Sequence, residues 1–168
     1  MTDLYRGKRL TVERKEYPLP GGKVVERVVV RPGDAVAMLP VHGDGTCSLI
    51  RQYRFAIGEF ILEAPAGTLN PGEEPLDAAR RELIEETGLQ AGSFVPRGFI
   101  YTTPGFTDER IYLYEARDLS PSTRFHPDED EVIEVVRMPL GDLQGMIVDG
   151  RISDAKTICL VSRCQGPP

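Results

Sequence analysis

Tryptophan is absent from this 168-residue chain, histidine occurs twice and cysteine three times. Each scarcity removes a class of chemistry. Cys47, Cys159 and Cys164 are odd in number, show no CxxC spacing and have no histidine placed to join them. That argues against a zinc site and against a cysteine nucleophile. Free thiols in a reducing compartment are the plainer reading. No apolar run approaches the length needed to cross a bilayer. The first residues, mostly polar from Thr2 to Arg9, do not read as a secretory signal, so a cytoplasmic protein is expected. Positive charge is also in deficit, with a formal net charge of −6. This disfavours non-specific nucleic-acid binding, which needs a positive surface. It still permits a small phosphorylated ligand, because a metal can supply positive charge locally. Neither nucleic acid nor membrane is expected as a partner.

What is present fits one domain. Hydrophobic residues make up 40% of the chain and charged residues 27%, the balance of a soluble protein with a sizeable core. Residues 4–31 read as strands broken at Pro18-Leu19-Pro20-Gly21-Gly22, and the β-branched run Lys23 to Arg31 is the clearest of them. Ala35 to Val41 and Thr46 to Arg54 read as strands joined by a Gly43-Asp44-Gly45 turn. Glu59 to Glu63, residues 94–101, residues 110–116 and Val132 to Met138 are further strand candidates. Two helices are expected near the end, over 140–148 and 153–163, the second with Ser153 and Asp154 as cap chemistry. The fold class is α+β.

One segment carries most of the chemical information. Gly67 to Leu89 reads GTLNPGEEPLDAARRELIEETGL. Asn70-Pro71-Gly72 is turn chemistry, Pro75 suits a first helical turn, and Gly88 suits a helix stop. Between them lies a helix whose Leu76, Ala79 and Leu83 can face a core. Residues three and four apart are helical neighbours, so Glu82 lies close to both Glu85 and Glu86. Like charges at that spacing destabilise a bare helix. A hard divalent cation bound through oxygen would offset the repulsion. Arg81 and Glu85, four apart, are placed to pair, which would orient Glu85 and leave Glu82 and Glu86 freer to bind metal.

The pattern G-x5-E-x7-R-E-L-x-E-E-x-G-L is met at Gly67, Glu73, Arg81, Glu82, Leu83, Glu85, Glu86, Gly88 and Leu89, without deviation. It resembles the complete signature of the Nudix hydrolases, which cleave nucleoside diphosphates linked to another moiety. Three features outside it resemble the ADP-ribose pyrophosphatase branch. Pro104 opens a Pro-Gly-Phe-Thr-Asp-Glu run, Gln52-Tyr53-Arg54 precedes the signature, and an acidic loop from His126 to Glu131 precedes the strand at Val132.

The resemblance implies a mixed β-sheet sandwiched between helices, with residues 1–33 as an N-terminal β extension and dimer contact and 34–168 as the catalytic core. It implies a homodimer that hydrolyses the pyrophosphate of ADP-ribose to AMP and ribose 5-phosphate. The cofactor would be Mg²⁺, with Mn²⁺ as the alternative, at two or three ions per site. Glu82 and Glu86 would hold metal with the carbonyl of Ala66, while Glu85 would ligate one ion or orient the shell. Glu131 would be the general base, with Glu129 second, and His126 structural or exposed. Arg54 would hold phosphate through its guanidinium fork, the other reading being a solvent-facing arginine on an edge strand. Glu109 would meet the terminal-ribose side, and Gly67 and Pro104 would border the substrate. Arg27 would reach across the dimer. For adenine stacking, Tyr5 and Tyr17 are the only aromatics in the extension. Another nucleoside-diphosphate sugar or dinucleotide is the alternative substrate. A sensor that binds ADP-ribose without cleaving it is the alternative of a different class.

Overall fold

Strand β4 (Ala35–Pro40) is apolar along its length and buried from Val36 onwards, because both of its faces are covered. On one face, Val36 and Met38 pack with Ala78, Ala79 and Leu83 of helix α1 (Pro75–Thr87). On the other, Ala37 and Leu39 pack with Leu160 and Val161 of helix α3 (Ala155–Gln165). Alternate residues of a strand point to opposite faces, so one short segment seeds two cores. Burying a leucine such as Leu83 stabilises by roughly 2 kcal/mol. The computed structural model describes residues 2–123 and 132–165.

Four strands form the central sheet in the order β7 (Ala66–Thr68), β4, β9 (Arg110–Pro121), β8 (Leu89–Tyr101). The β4–β9 pair is parallel and its flanking pairs are antiparallel, so the sheet is mixed. With α1 and α3 on its two faces, this is the helix-covered mixed sheet expected from the sequence. A second, antiparallel sheet has the order β10 (Ile133–Pro139), β5 (Thr46–Arg54), β6 (Glu59–Glu63). It is joined to the first through the turn after β4, where the Asp44 carboxylate accepts from the Thr46 backbone N–H at 3.1 Å.

Strands β1 (Thr2–Arg6), β2 (Thr11–Pro18) and β3 (Val24–Arg31) form a third sheet. Two links dock it on the core, and an ion pair within the sheet braces one of them. Val30 N–H donates to the Phe106 carbonyl at 2.8 Å, and Arg31 bridges Glu13 at 2.7 Å and Asp108 at 2.5 Å. The Pro104-Gly105 turn is thereby stitched to β3. Among the described residues, no helix is long and apolar enough to cross a membrane.

Several boundaries differ from expectation, for physical reasons. β8 begins at Leu89, five residues before the expected start. Gln90 to Ser93 have little strand propensity, but they pair with Ser120 to Arg117 of β9, and pairing overrides propensity. The span 140–148 splits into a 3₁₀ turn, Leu140–Asp142, and helix α2, Leu143–Val148. Asp154, rather than Ser153, receives the Thr157 backbone N–H at 2.9 Å at the start of α3.

Candidate functional site

The site is built where β7 meets α1. The chain turns at Asn70-Pro71-Gly72, with Gly72 at φ 78°, a left-handed conformation that glycine tolerates. Glu73 ties this turn to the helix by accepting the Asn70 backbone N–H at 2.8 Å. Helix α1 then starts with Pro75 in its first turn and ends at Gly88, φ 67°. Its buried residues are Ala78, Ala79, Leu83, Ile84 and Glu86. Ala78, Ala79 and Leu83 pack in the core beneath the sheet, and Glu86 does not. Its Oε2 accepts the Ala66 backbone N–H at 2.8 Å, which holds the helix carboxylate against β7.

Glu82 lies one turn earlier, against Gly67. A Cβ placed on Gly67 would fall 1.9 Å from the Glu82 carboxyl carbon and 2.0 Å from Oε1. Only glycine leaves the carboxylate that space. Ala66, Gly67, Glu82 and Glu86 are thus brought together by direct contact.

Arg81 organises the remaining acids. Its Nε and Nη2 each donate to Glu73 at 2.9 Å, and Nη2 also donates to the Thr68 carbonyl at 3.2 Å. Nη1 donates to Glu82 at 2.7 Å and to Glu85 at 2.9 Å. The expected Arg81–Glu85 pair is present, but it is not exclusive. Arg81 engages Glu82 as well, through the same Nη1. The hydrogen bonds from Arg81 hold the Glu73 carboxyl well below its ordinary range, at about 2. The same pairing with Glu73, then Glu82 and Glu85, pushes the Arg81 pKa upwards against the opposing effect of burial.

One guanidinium therefore serves three carboxylates, with Glu86 beside them. Among the described residues, no three acidic, histidine or cysteine side chains converge to form a metal cage on their own. The donor set nevertheless suits Mg²⁺, which is usually held by one or two carboxylates together with waters and substrate phosphates. Glu82, Glu86 and the Ala66 carbonyl are the residues that could supply such a set, and the space at Gly67 keeps one carboxylate beside that backbone.

Arg54 is not the solvent-facing edge-strand arginine of the alternative reading. It lies on β5, the central strand of its sheet rather than an edge. Its fork grips Glu63, with Nε to Oε1 at 2.7 Å and Nη2 to Oε2 at 2.8 Å. Burial pulls the Arg54 pKa down, but the Glu63 pair and the fields of Glu86 and Asp154 outweigh it and raise the value. Arg54 is therefore within electrostatic reach of the acidic helix.

Glu109 stands at the start of β9 and accepts the Thr102 hydroxyl at 2.7 Å. Pro104 is exposed in the turn beside it. Arg27 lies exposed on the N-terminal sheet and donates to the Glu26 carbonyl at 2.8 Å. Tyr5 is exposed, whereas the Tyr17 hydroxyl is taken up by Glu13 and Arg31. Glu129, Glu131 and His126 lie outside the described residues. The cysteines are free, and burial pushes the Cys47 and Cys164 thiols up to about 11, the wrong direction for nucleophiles.

Sequence reasoning missed Glu63 and Lys156, read Asp154 only as a helix cap and assigned no role to Glu73. A signal existed for Glu63: it is a charge directly following Phe60-Ile61-Leu62 in a strand with no outward-facing alternation. Lys156 carried none, because a lysine near a helix start reads as solvated.

Comparison with known proteins came down on the same elements. A family model described as NUDIX domain matches residues 31–161. An ADP-ribose pyrophosphatase of Bacillus subtilis (strain 168) is 36% identical over 163 residues, covering 96% of this chain and 88% of that one. A methanol dehydrogenase activator of Bacillus methanolicus is 34% identical over 163 residues, with the same coverage, 96% and 88%. A crystal structure of an ADP compounds hydrolase superposes with a TM-score of 0.85 at 26% identity, covering 98% of this chain and 89% of that one.

Proposed function

The chain belongs to the Nudix family, and from that premise we propose that it is an ADP-ribose pyrophosphatase, cleaving ADP-ribose with water to AMP and ribose 5-phosphate. The observation that carries the reading is the meeting of Glu82 with Gly67 and of Glu86 with the Ala66 amide, where carboxylates line a backbone edge. The name of the B. subtilis relative supports the choice of substrate.

In this proposal Glu82, Glu86 and the Ala66 carbonyl hold two or three Mg²⁺ ions, with Mn²⁺ as a substitute. When bound, the metal supplies Lewis-acid neutralisation of the pyrophosphate and activation of water. The protein's own part is positional. Arg81 fixes Glu82 and Glu85, and Glu73 fixes Arg81 in turn. Arg54 offers its guanidinium to a phosphate. Glu131 accepts the proton of the attacking water, with Glu129 as the second candidate. Glu109 meets the terminal ribose, and Gly67 and Pro104 border the substrate.

The same proposal makes residues 1–33 an extension of the core at 34–168 and the surface of a homodimer, with Arg27 reaching across. The exposure of Leu4, Tyr5, Val24 and Val28 on that sheet supports it. Free thiols at Cys47, Cys159 and Cys164 fit a cytoplasmic location.

The test is parallel incubation with Mg²⁺ and ADP-ribose, GDP-mannose, NADH, FAD and ATP, with products separated by chromatography. AMP from ADP-ribose, formed faster than any other product, is expected. Preferential cleavage of another diphosphate would discard the substrate and keep the metal site. Binding of ADP-ribose without turnover of any compound would favour the sensor.

A further inference from the structure

Glu63 is fully buried, and its carboxyl group sits between Arg54 and Lys156. Arg54 holds both of its oxygens through the fork already described. Lys156, from the first turn of α3 and itself buried, also donates to Oε2 of Glu63. Lys156 donates in addition to Asp154 Oδ1 at 3.0 Å. Asp154 Oδ2 accepts the Thr157 backbone N–H at 2.9 Å and the Thr157 hydroxyl at 2.5 Å. The Thr157 oxygen accepts the backbone N–H of Ala64 at 2.7 Å. The chain of contacts therefore closes on itself: Glu63, Lys156, Asp154, Thr157, then Ala64, the residue after Glu63.

This ring is joined to the site at two points. Two residues beyond Ala64 is Ala66, whose N–H holds Glu86. Between them, the Pro65 carbonyl accepts Met38 N–H at 3.0 Å, so the segment is fixed from both sides. At the other end, Arg54 engages Glu63 through Nε and Nη2, while Nη1 makes no hydrogen bond among the described residues. The Arg54 side chain is 39% exposed and its partner's is 0% exposed. The guanidinium is thus anchored on its inner edge and open on its outer one.

We propose that Glu63 is a positioning residue that aims Arg54 at the substrate's pyrophosphate, and that Lys156, braced by Asp154, anchors Glu63 from helix α3. The inference rests on the pyrophosphatase reading above and deepens it. An unbraced arginine must lose the freedom of a long side chain when it grips phosphate. A fork already locked on a buried carboxylate has lost that freedom beforehand. The second cation matters because a carboxylate facing Arg54 alone would offset the positive charge that a phosphate meets.

The test is a double-mutant cycle between Arg54→Ala and Glu63→Gln, with KM, kcat and unfolding temperature measured for each. It is run on whichever of ADP-ribose and GDP-mannose the wild type hydrolyses, since both present a pyrophosphate. Arg54→Ala is expected to raise KM by roughly tenfold or more, the worth of a charge-assisted hydrogen bond. Glu63→Gln is expected to raise KM several-fold with a much smaller change in kcat. Added to Arg54→Ala, it should raise KM no further. If Glu63→Gln leaves KM unchanged, or acts equally in both backgrounds, the inference is overturned and Glu63 only stabilises the fold. Should Glu63→Gln fail to fold, Glu63→Asp takes its place in the cycle, keeping the charge for Lys156 and withdrawing the carboxylate from the fork. A wild type that hydrolyses GDP-mannose and not ADP-ribose overturns the substrate reading and leaves this cycle to be read. If neither is hydrolysed, the cycle is read from ADP-ribose affinity by calorimetry, and absence of binding overturns both.

Discussion

At Arg81 every guanidinium nitrogen is engaged: Nε and Nη2 on Glu73, Nη1 on Glu82 and Glu85. The arrangement has a consequence for pH. Glu73 ionises at about 2 in the folded protein, against about 4.3 for an ordinary glutamate. Its folded value is depressed, so it stabilises the fold above the ordinary value, and that contribution fades as pH falls from about 5 towards 2. A Glu73→Gln variant is therefore expected to unfold at a lower temperature than wild type at pH 7, with the gap narrowing through that window. A gap that stays constant down to pH 2 would contradict the pairing. Glu131 makes a second prediction at this scale. Loss of a general base costs roughly 10²–10⁴-fold in rate. Glu131→Gln should lower kcat within that range while leaving ADP-ribose affinity nearly unchanged, as steady-state kinetics and calorimetry would read. Unaltered turnover would move the base to Glu129 or elsewhere.

The element that matters most is the β7–α1 unit, and its tightest point is Gly67 against Glu82. An added methyl group would meet the end of a flexible side chain, so the fold should survive while the Glu82 carboxylate is displaced. Gly67→Ala is expected to keep the wild-type circular dichroism spectrum and to raise the half-saturating Mg²⁺ concentration by about tenfold. An unchanged Mg²⁺ requirement would remove Glu82 from the metal set. Much of this unit was legible in the sequence, because Pro75, Gly88 and the acidic spacing are local signals that act through backbone geometry. Arg81 was legible only as far as Glu85, its neighbour on the same helix. Its bond to Glu73 depends on how the Asn70-Pro71-Gly72 turn folds back. The β8 start was missed because Gln90 to Ser93 owe their strand to β9. Glu63 and Lys156 lie 93 residues apart, and no local pattern couples them.

Across the whole molecule, β4 sets the plan. Its two faces carry α1 on one side and α3 on the other, and the signature helix is held rigid because Leu83 and Ala79 are buried beneath it. The alternation of Val36, Ala37, Met38 and Leu39 does not reveal this, since a strand buried on both sides loses the two-residue period that marks a half-buried one. The mixed sheet therefore entered through the resemblance of the acidic motif rather than through hydrophobic patterning. In the proposed reaction, carboxylates on α1, held against the Ala66–Gly67 edge, carry a metal-dependent cleavage of ADP-ribose. The most direct measurement is the rate of AMP release from ADP-ribose over a range of Mg²⁺ concentrations, for wild type and for Glu86→Gln. Glutamine can still accept the Ala66 N–H, so the fold should persist. Wild type is expected to release AMP, to stop on chelation and to recover with Mg²⁺, while the variant falls by at least about 100-fold at limiting metal. A variant that releases AMP at the wild-type rate at limiting Mg²⁺ would contradict the proposal.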